Sequence, residues 1–246
     1  MRDNSCPHYT KPLHFEQDLP LTFGARNDTI FGMAPYIIWD WNGTLLNDVD
    51  ASVDALNHLL SDRGLSPISR TDYRKMFGFP VRPLYVKIGI DPDHDWDQIC
   101  VDFHRYLSAA PQGLRPDARA ALDEAQKAGV GQSILSALRQ DFLLRDTGKF
   151  GVQDFFDEIY GVDNLDGASK LARAHQLLAQ LKARGLLPDG RPLFFIGDTL
   201  HDAEVGQALG ATVILVDGGH QTADRLAAAS CTVATSLPDA VRLACA

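Results

Sequence analysis

The side chains best placed to do chemistry in this chain are three aspartates, a serine and a lysine. Asp40 stands in the stretch YIIWDWNGTLLND, Ser136 closes QSILS, Lys170 precedes LARAHQLLAQL, and Asp198 and Asp202 share GDTLHD. Carboxylate oxygens are what a hard cation such as Mg2+ takes, and it usually keeps several waters besides. A carboxylate nucleophile, with a metal, a lysine and a hydroxyl to neutralise charge on the transferring oxygens, is what phosphoryl transfer to an aspartate requires. Each residue alone has an ordinary explanation. An aspartate before a helix is usually an N-cap, a serine can cap or turn, and a lysine is usually solvated. The lysine has one peculiarity: a cation at a helix N-terminus opposes the macrodipole and so invites an anionic partner.

Convergence depends on the elements that carry these residues. The run Tyr36–Trp39 before Asp40 suits a central strand buried on both faces. A carboxylate just past such a strand lies where open α/β sheets hold their ligands. Further strand signals fall at 129–135, 156–161, 192–197, 211–216 and 231–234, with helical stretches at 137–146, 170–184, 201–209 and 221–228. That alternation predicts a parallel sheet covered on both faces, so all five residues would meet on one edge. After the first strand, Val49, Val53, Leu56, Leu59 and Leu60 follow helical spacing, and Gly64 is a plausible stop. Helical pieces continue with no strand between about 50 and 113, and a further helix spans 116–129.

The expected fold class is α/β. A Rossmann-like parallel sheet core (35–48 and 114–246) is interrupted after its first strand by a helical cap (49–113). Residues 1–34 have no apolar signal core and no periodicity, so a loosely ordered arm is expected there, with Met33 as an alternative start.

At 246 residues the chain can bury the core of one such domain plus an insert. A net charge of −9 argues against a nucleic-acid surface, which needs clustered Lys and Arg. It leaves room for one locally positive pocket and a small anionic partner. The four cysteines show no C-x-x-C spacing, so neither a zinc site nor a disulfide framework is expected, and a reducing cytoplasm is the simplest home. No apolar run approaches a membrane span. Oligomeric state is not legible.

D-x-x-G-T-L after the first strand, a strand-end Ser, a downstream Lys and G-D-T-x-x-D together resemble the four motifs of the haloacid dehalogenase superfamily. The likeness covers about residues 35–240. FGFPVRPLYVKIG and GGHQTADRL are similar to its phosphoglycolate-phosphatase-like branch. The resemblance implies Mg2+-dependent hydrolysis of a small phosphorylated metabolite, phosphoglycolate being one candidate. Asp40 would be the nucleophile and a metal ligand, and Asn42 would lend Mg2+ its main-chain carbonyl. Thr44 would support the phosphate loop, while Ser136, Ala137 and Lys170 hold the phosphoryl group. Asp198 would bind the metal, and Asp202 would bind it or orient a metal-bound water. Arg82 in the cap is a candidate for a substrate anion, with a solvated arginine as the ordinary alternative. His201 and His220 read as structural or peripheral.

The sequence departs from that family at Asn42. Its phosphatases normally carry Asp there, to protonate the leaving group and then activate water. Losing a general acid–base group costs about 10²–10⁴-fold against total accelerations of roughly 10⁶–10¹⁷, so a slow enzyme is expected rather than an inert fold. Four outcomes are open: another group replaces the acid, the substrate has a good leaving group, the aspartyl-phosphate is long-lived by design, or Asn42-Gly43 deamidates. DWNGT also resembles the D-W-A-G-T loop of phosphonoacetaldehyde hydrolases, whose Schiff-base lysine would have to be Lys75 or Lys87. A catalytically weak, phospho-ligand-binding member is the remaining alternative.

Overall fold

The computed structural model describes residues 33–163 and 170–246. The arm expected over 1–34 lies outside these apart from its last two residues. Strand β1 (Tyr36–Trp39) is buried along its whole length, as its unbroken apolar run requires. It lies between β4 (Gly131–Arg139) and β6 (Leu193–Gly197). With β5 (Glu158–Val162), β7 (Thr212–Val216) and β8 (Thr232–Ala234) they form one sheet, ordered β5-β4-β1-β6-β7-β8, every pairing parallel. The chain winds outward from β1 to β5, then returns to β6 on β1's other side. That reversal makes a crevice at the carboxyl ends of the central strands.

Successive side chains of β1 point to opposite faces. Ile37 and Trp39 pack into one apolar cluster with helices α5 (Ala118–Lys127), α6 (Gln140–Lys149) and α10 (Leu237–Cys245). Tyr36 and Ile38 pack into the other with α7 (Lys170–Ala183), α8 (Leu200–Ala208) and the single turn α9 (Ala223–Leu226). Between β1 and β4 a short antiparallel ribbon pairs β2 (Leu46–Asn47) with β3 (Gly113–Leu114). The chain between its strands forms α1 (Val49–Ser61), α2 (Arg70–Met76), α3 (Arg82–Lys87) and α4 (Trp96–Ala109). These four helices bury an apolar cluster of their own, from Val49 and Leu56 to Tyr85 and Ile99.

Two features differ from the sequence reading. Strand β4 runs on to Arg139 instead of ending near 135, because its register with β5 shifts between Leu135 and Arg139. Ser136, Ala137 and Leu138 therefore lie in an irregular stretch of strand, the kind of place where a bulge re-aims side chains. Helix α10 was not anticipated. Its signals are local: Ser236 accepts from the Asp239 amide, and a proline sits in the first turn.

The packing of α8 on the sheet yields a stability test. A Cβ on Gly206 would lie 2.6 Å from Val213 Cγ2 and 2.8 Å from Phe195 Cβ. Helix propensity favours alanine over glycine by about 1 kcal/mol, but overpacking a tight contact costs about 1–3 kcal/mol. Gly206→Ala is therefore expected to lower the urea midpoint. A raised midpoint would mean that α8 can move off the sheet.

Candidate active site

Asp40 follows β1 directly, and its amide continues the ladder by donating to Ile196 O. Its carboxylate is buried, and Oδ1 accepts from Lys170 Nζ at 2.6 Å. The same ammonium donates to Asp202 Oδ1, also at 2.6 Å. Lys170, the first residue of α7, is thus a buried cation clamped between two carboxylates, and its helix dipole is outweighed by two full charges. The other oxygen of Asp202 secures the loop after β6, accepting from the amides of Asp198 and Thr199 and from Thr199 Oγ1. Thr199 and Asp202 form a capping box that starts α8.

Asp198, the residue after β6, is fully buried. Thr44 Oγ1 lies 3.3 Å from Asp40 Oδ2 and 3.2 Å from Asp198 Oδ1, so this hydroxyl bridges the two carboxylates with a single proton. The turn that brings Thr44 there needs Gly43, whose φ is +75° and whose added Cβ would lie 2.3 Å from Asp198 Oδ2. Oxygens of Asp40, Asp198 and Asp202 all lie within 4.8 Å of one another.

Burial raises the Asp40 carboxyl to about 8, with the Asp202 charge adding to it and Lys170 opposing. Burial likewise raises Asp198, to about 6, against the pull of His220. Burial would depress the Lys170 ammonium, but Asp202 and Asp40 push it above its ordinary value. Burial would raise Asp202 too, and Lys170 overrides that and holds it low. Four buried aspartates, counting Asp48, face one ammonium and one imidazole here. An all-oxygen donor set with surplus negative charge fits a hard divalent cation such as Mg2+.

Asp48 is a hub that the sequence reading missed. It stands at the N-cap position of α1 but makes no capping bond with that helix. Instead it accepts from Asn42 Nδ2 and from the Gly43 amide, both at 2.8 Å, and faces His220 Nε2 at 3.2 Å. The imidazole's other nitrogen is 2.8 Å from Tyr73 Oη on α2, and its backbone amide donates to Asp198 Oδ2. Burial opposes charging His220, yet Asp48 and the neighbouring carboxylates raise it to about 9. His220 is therefore the joint between the four-helix segment and the sheet edge. The available signal was an aspartate between the Asn42-Gly43 turn and the start of α1, a position that an N-cap would explain equally well.

Ser136 Oγ accepts from the Leu138 amide and lies 3.4 Å from Asn42 Oδ1. Asp40, Asn42, Ser136, Ala137, Lys170, Asp198 and Asp202 all line one cavity of about 130 Å³, between the sheet edge and the helices of 49–109. Thr44 lies beneath them, between the carboxylates. Arg82 does not line the cavity: its guanidinium meets exposed Asp93 at 3.5 Å and lies over the Trp96 ring. Lys75 and Lys87 are exposed and also lie off it. Among the described residues, no helix is long and apolar enough to cross a membrane.

Known proteins share this arrangement of elements. A phosphoglycolate phosphatase from Rhodobacter capsulatus is 26% identical over 196 residues, covering 77% of this chain and 87% of its own. A probable phosphatase, IndB, from Dickeya dadantii is 23% identical, covering 80% and 87%. Among solved structures, the Mycobacterium tuberculosis protein tyrosine kinase A superposes with a TM-score of 0.71 at 23% identity, covering 87% of this chain and 99% of its own. A predicted phosphatase from Clostridium acetobutylicum gives 0.70 at 17%, covering 86% and 98%. At these identities the solved structures speak for the fold. The haloacid dehalogenase-like hydrolase family matches residues 37–216, well over half of the sequence, and the chain belongs to that family.

Proposed function

We propose that this hydrolase is a Mg2+-dependent phosphatase that cleaves a small phosphate monoester through an aspartyl-phosphate on Asp40. The observation that carries the reading is Asp40 itself. It is a buried carboxylate at the end of the central strand, with an ammonium 2.6 Å from one oxygen and a second carboxylate reached through one hydroxyl from the other. Asp40 Oδ2 and Asp198 Oδ1 share only the Thr44 hydroxyl, so these two oxygens, with the Asn42 carbonyl, would hold the cation. Both Asp202 oxygens are already engaged, so its part is to hold Lys170 and the 198–199 loop. Bound there, Mg2+ would neutralise charge on the transferring oxygens.

The protein's own groups account for the remaining work. Lys170 and Ser136, beside Ala137, hold the phosphoryl oxygens while Asp40 attacks phosphorus and the ester oxygen departs with its electron pair. Water then cleaves the acyl phosphate and returns the carboxylate. The helices over 49–109 act as a cap, excluding bulk water from the charged floor and strengthening its electrostatics. Asn42 has no proton to exchange, and its amide is committed to Asp48 Oδ2. Leaving-group departure and water attack both proceed without the usual acid–base partner. The named relatives bring phosphoglycolate forward as one candidate substrate. A Schiff-base route to C–P cleavage has no support, since neither Lys75 nor Lys87 reaches the cavity. The phospho-ligand-binding alternative rests on Asn42 alone, while the other charged groups of the floor are in place.

Acetyl phosphate and p-nitrophenyl phosphate have leaving groups that need little protonation. Both are expected to release phosphate in the presence of Mg2+, and p-nitrophenyl phosphate should give a burst of p-nitrophenol that reports slow breakdown of the aspartyl-phosphate. Chelation or Asp40→Asn should abolish release, and activity surviving Asp40→Asn would end the reading. Asn42→Asp would set a second carboxyl against Asp48, and like charges at hydrogen-bond distance favour keeping one of them protonated. This variant is expected to gain on an alkyl ester such as benzyl phosphate by at least about tenfold in kcat/KM, a part of the usual roughly 10²–10⁴-fold worth of a general acid. The gain on p-nitrophenyl phosphate should be smaller. Equal gains on both would mean that Asn42 does not limit departure.

A further inference from the structure

The cavity above Asp40 has two unlike ends. Its floor is the charged cluster, whereas its roof includes Phe77, Phe79, Leu84, Tyr85, Trp96 and Phe103 from the segment 49–109. Among the described residues no arginine lines it, and Lys170, its one lysine, is clamped in the floor. The nearby guanidiniums are turned elsewhere. Arg74 holds the carbonyls of Gly219 and Gln221 and the Asp217 carboxylate, and Arg115 holds the carbonyls of Gly43 and Asp217. Two imidazoles complete the basic lining among the described residues. His220 belongs to the Asp48 network, and the His104 ring packs against Phe103 and Phe142.

A substrate carrying a second anion, as phosphoglycolate does, would bring its carboxylate against aromatic rings without a guanidinium or ammonium partner. Burying a carboxylate that way is strongly unfavourable. A flat uncharged ring carries no such penalty there and can pack against the aromatic and aliphatic side chains of the roof. Asn42 points the same way independently. With no proton to donate, the site favours an ester whose oxygen leaves unprotonated. A phenol, with a pKa of about 10 as in tyrosine, leaves far more readily than an alkanol close to water's value of about 15.7.

We propose that the substrate is a small aryl phosphate monoester, its uncharged ring held among the aromatic side chains over Asp40. This rests on the reading of Asp40 as phosphoryl acceptor. In the step, an Asp40 oxygen bonds to phosphorus and the phosphorus–aryl oxygen bond breaks. The bonding pair leaves on the phenolate, which takes its proton from solvent. Water then attacks the acyl phosphate, releasing inorganic phosphate and restoring the carboxylate, so aryl phosphate plus water gives phenol plus phosphate.

The test compares kcat/KM for phenyl phosphate, benzyl phosphate and phosphoglycolate on the intact protein with Mg2+, taking acetyl phosphate as the reference. This ratio covers steps through leaving-group departure and is blind to slow breakdown of the intermediate. Phenyl phosphate is expected to exceed benzyl phosphate by about 10²-fold or more, the lower range for a missing general acid. It should exceed phosphoglycolate by at least as much, since ring burial adds to the leaving-group effect. Phosphoglycolate matching phenyl phosphate, or benzyl phosphate doing so, would overturn the proposal while acetyl phosphate turnover keeps the Asp40 reading standing. A phosphotyrosyl peptide turned over faster than phenyl phosphate would overturn the assignment to a free, small ester. Silence on acetyl phosphate as well would overturn the Asp40 reading and this proposal together.

Discussion

The buried ammonium of Lys170 is the constraint around which this molecule is organised. It lies 2.6 Å from carboxylate oxygens of both Asp40 and Asp202, out of contact with solvent. A cation stripped of water survives only if its partners are fixed, and removing one partner of such a buried pair costs about 3–5 kcal/mol. The three elements supplying these groups are thereby tied together: the end of β1, the start of α7 and the first turn of α8. The capping box at Thr199 extends the tie to the end of β6, where Asp198 is placed. The proposed phosphate chemistry would use the same arrangement, because a site that holds surplus anionic charge in a dry place is already organised for cations.

Asp48 performs a comparable task with opposite sign. One carboxylate gathers the Asn42 amide, the Gly43 N–H and the His220 imidazole, and so fixes the loop after β1 to the loop after β7. Through Tyr73 the network reaches the helices that roof the cavity. Asparagine at position 42 fits this hub better than an ionised aspartate would, because an amide donates where a carboxylate would repel. Local electrostatics thus gives a structural reason for asparagine at a position where the proposed mechanism would otherwise use an acid.

Much of the fold was legible beforehand because hydrophobic periodicity is local. The run Tyr36–Trp39, the five later strand signals and the helical spacing after Val49 all correspond to observed elements. The failures also have local causes. A register shift prolonged β4 past Leu135, and helix α10 is short enough that its Ser236 cap passed unread. For the site, residue types and order pointed to Asp40, Ser136, Lys170, Asp198 and Asp202, and the structure brings all five to one cavity. Asp48 and Tyr73 were hidden because His220, which joins them, lies far along the chain, and an aspartate before a helix already has a sufficient explanation.

By itself the sequence determined that the sheet is parallel and covered on both faces, the edge on which the charged groups meet, and the lack of an acid at position 42. These follow from spacing and residue type, and both act over short stretches of chain. Only the tertiary structure decided which oxygen Lys170 touches, that Asp202 is occupied twice over, that Arg82 turns away from the cavity, and that aromatic side chains roof it. Those outcomes depend on how helices from distant parts of the chain pack over the sheet edge. Spacing along a sequence carries no record of that packing.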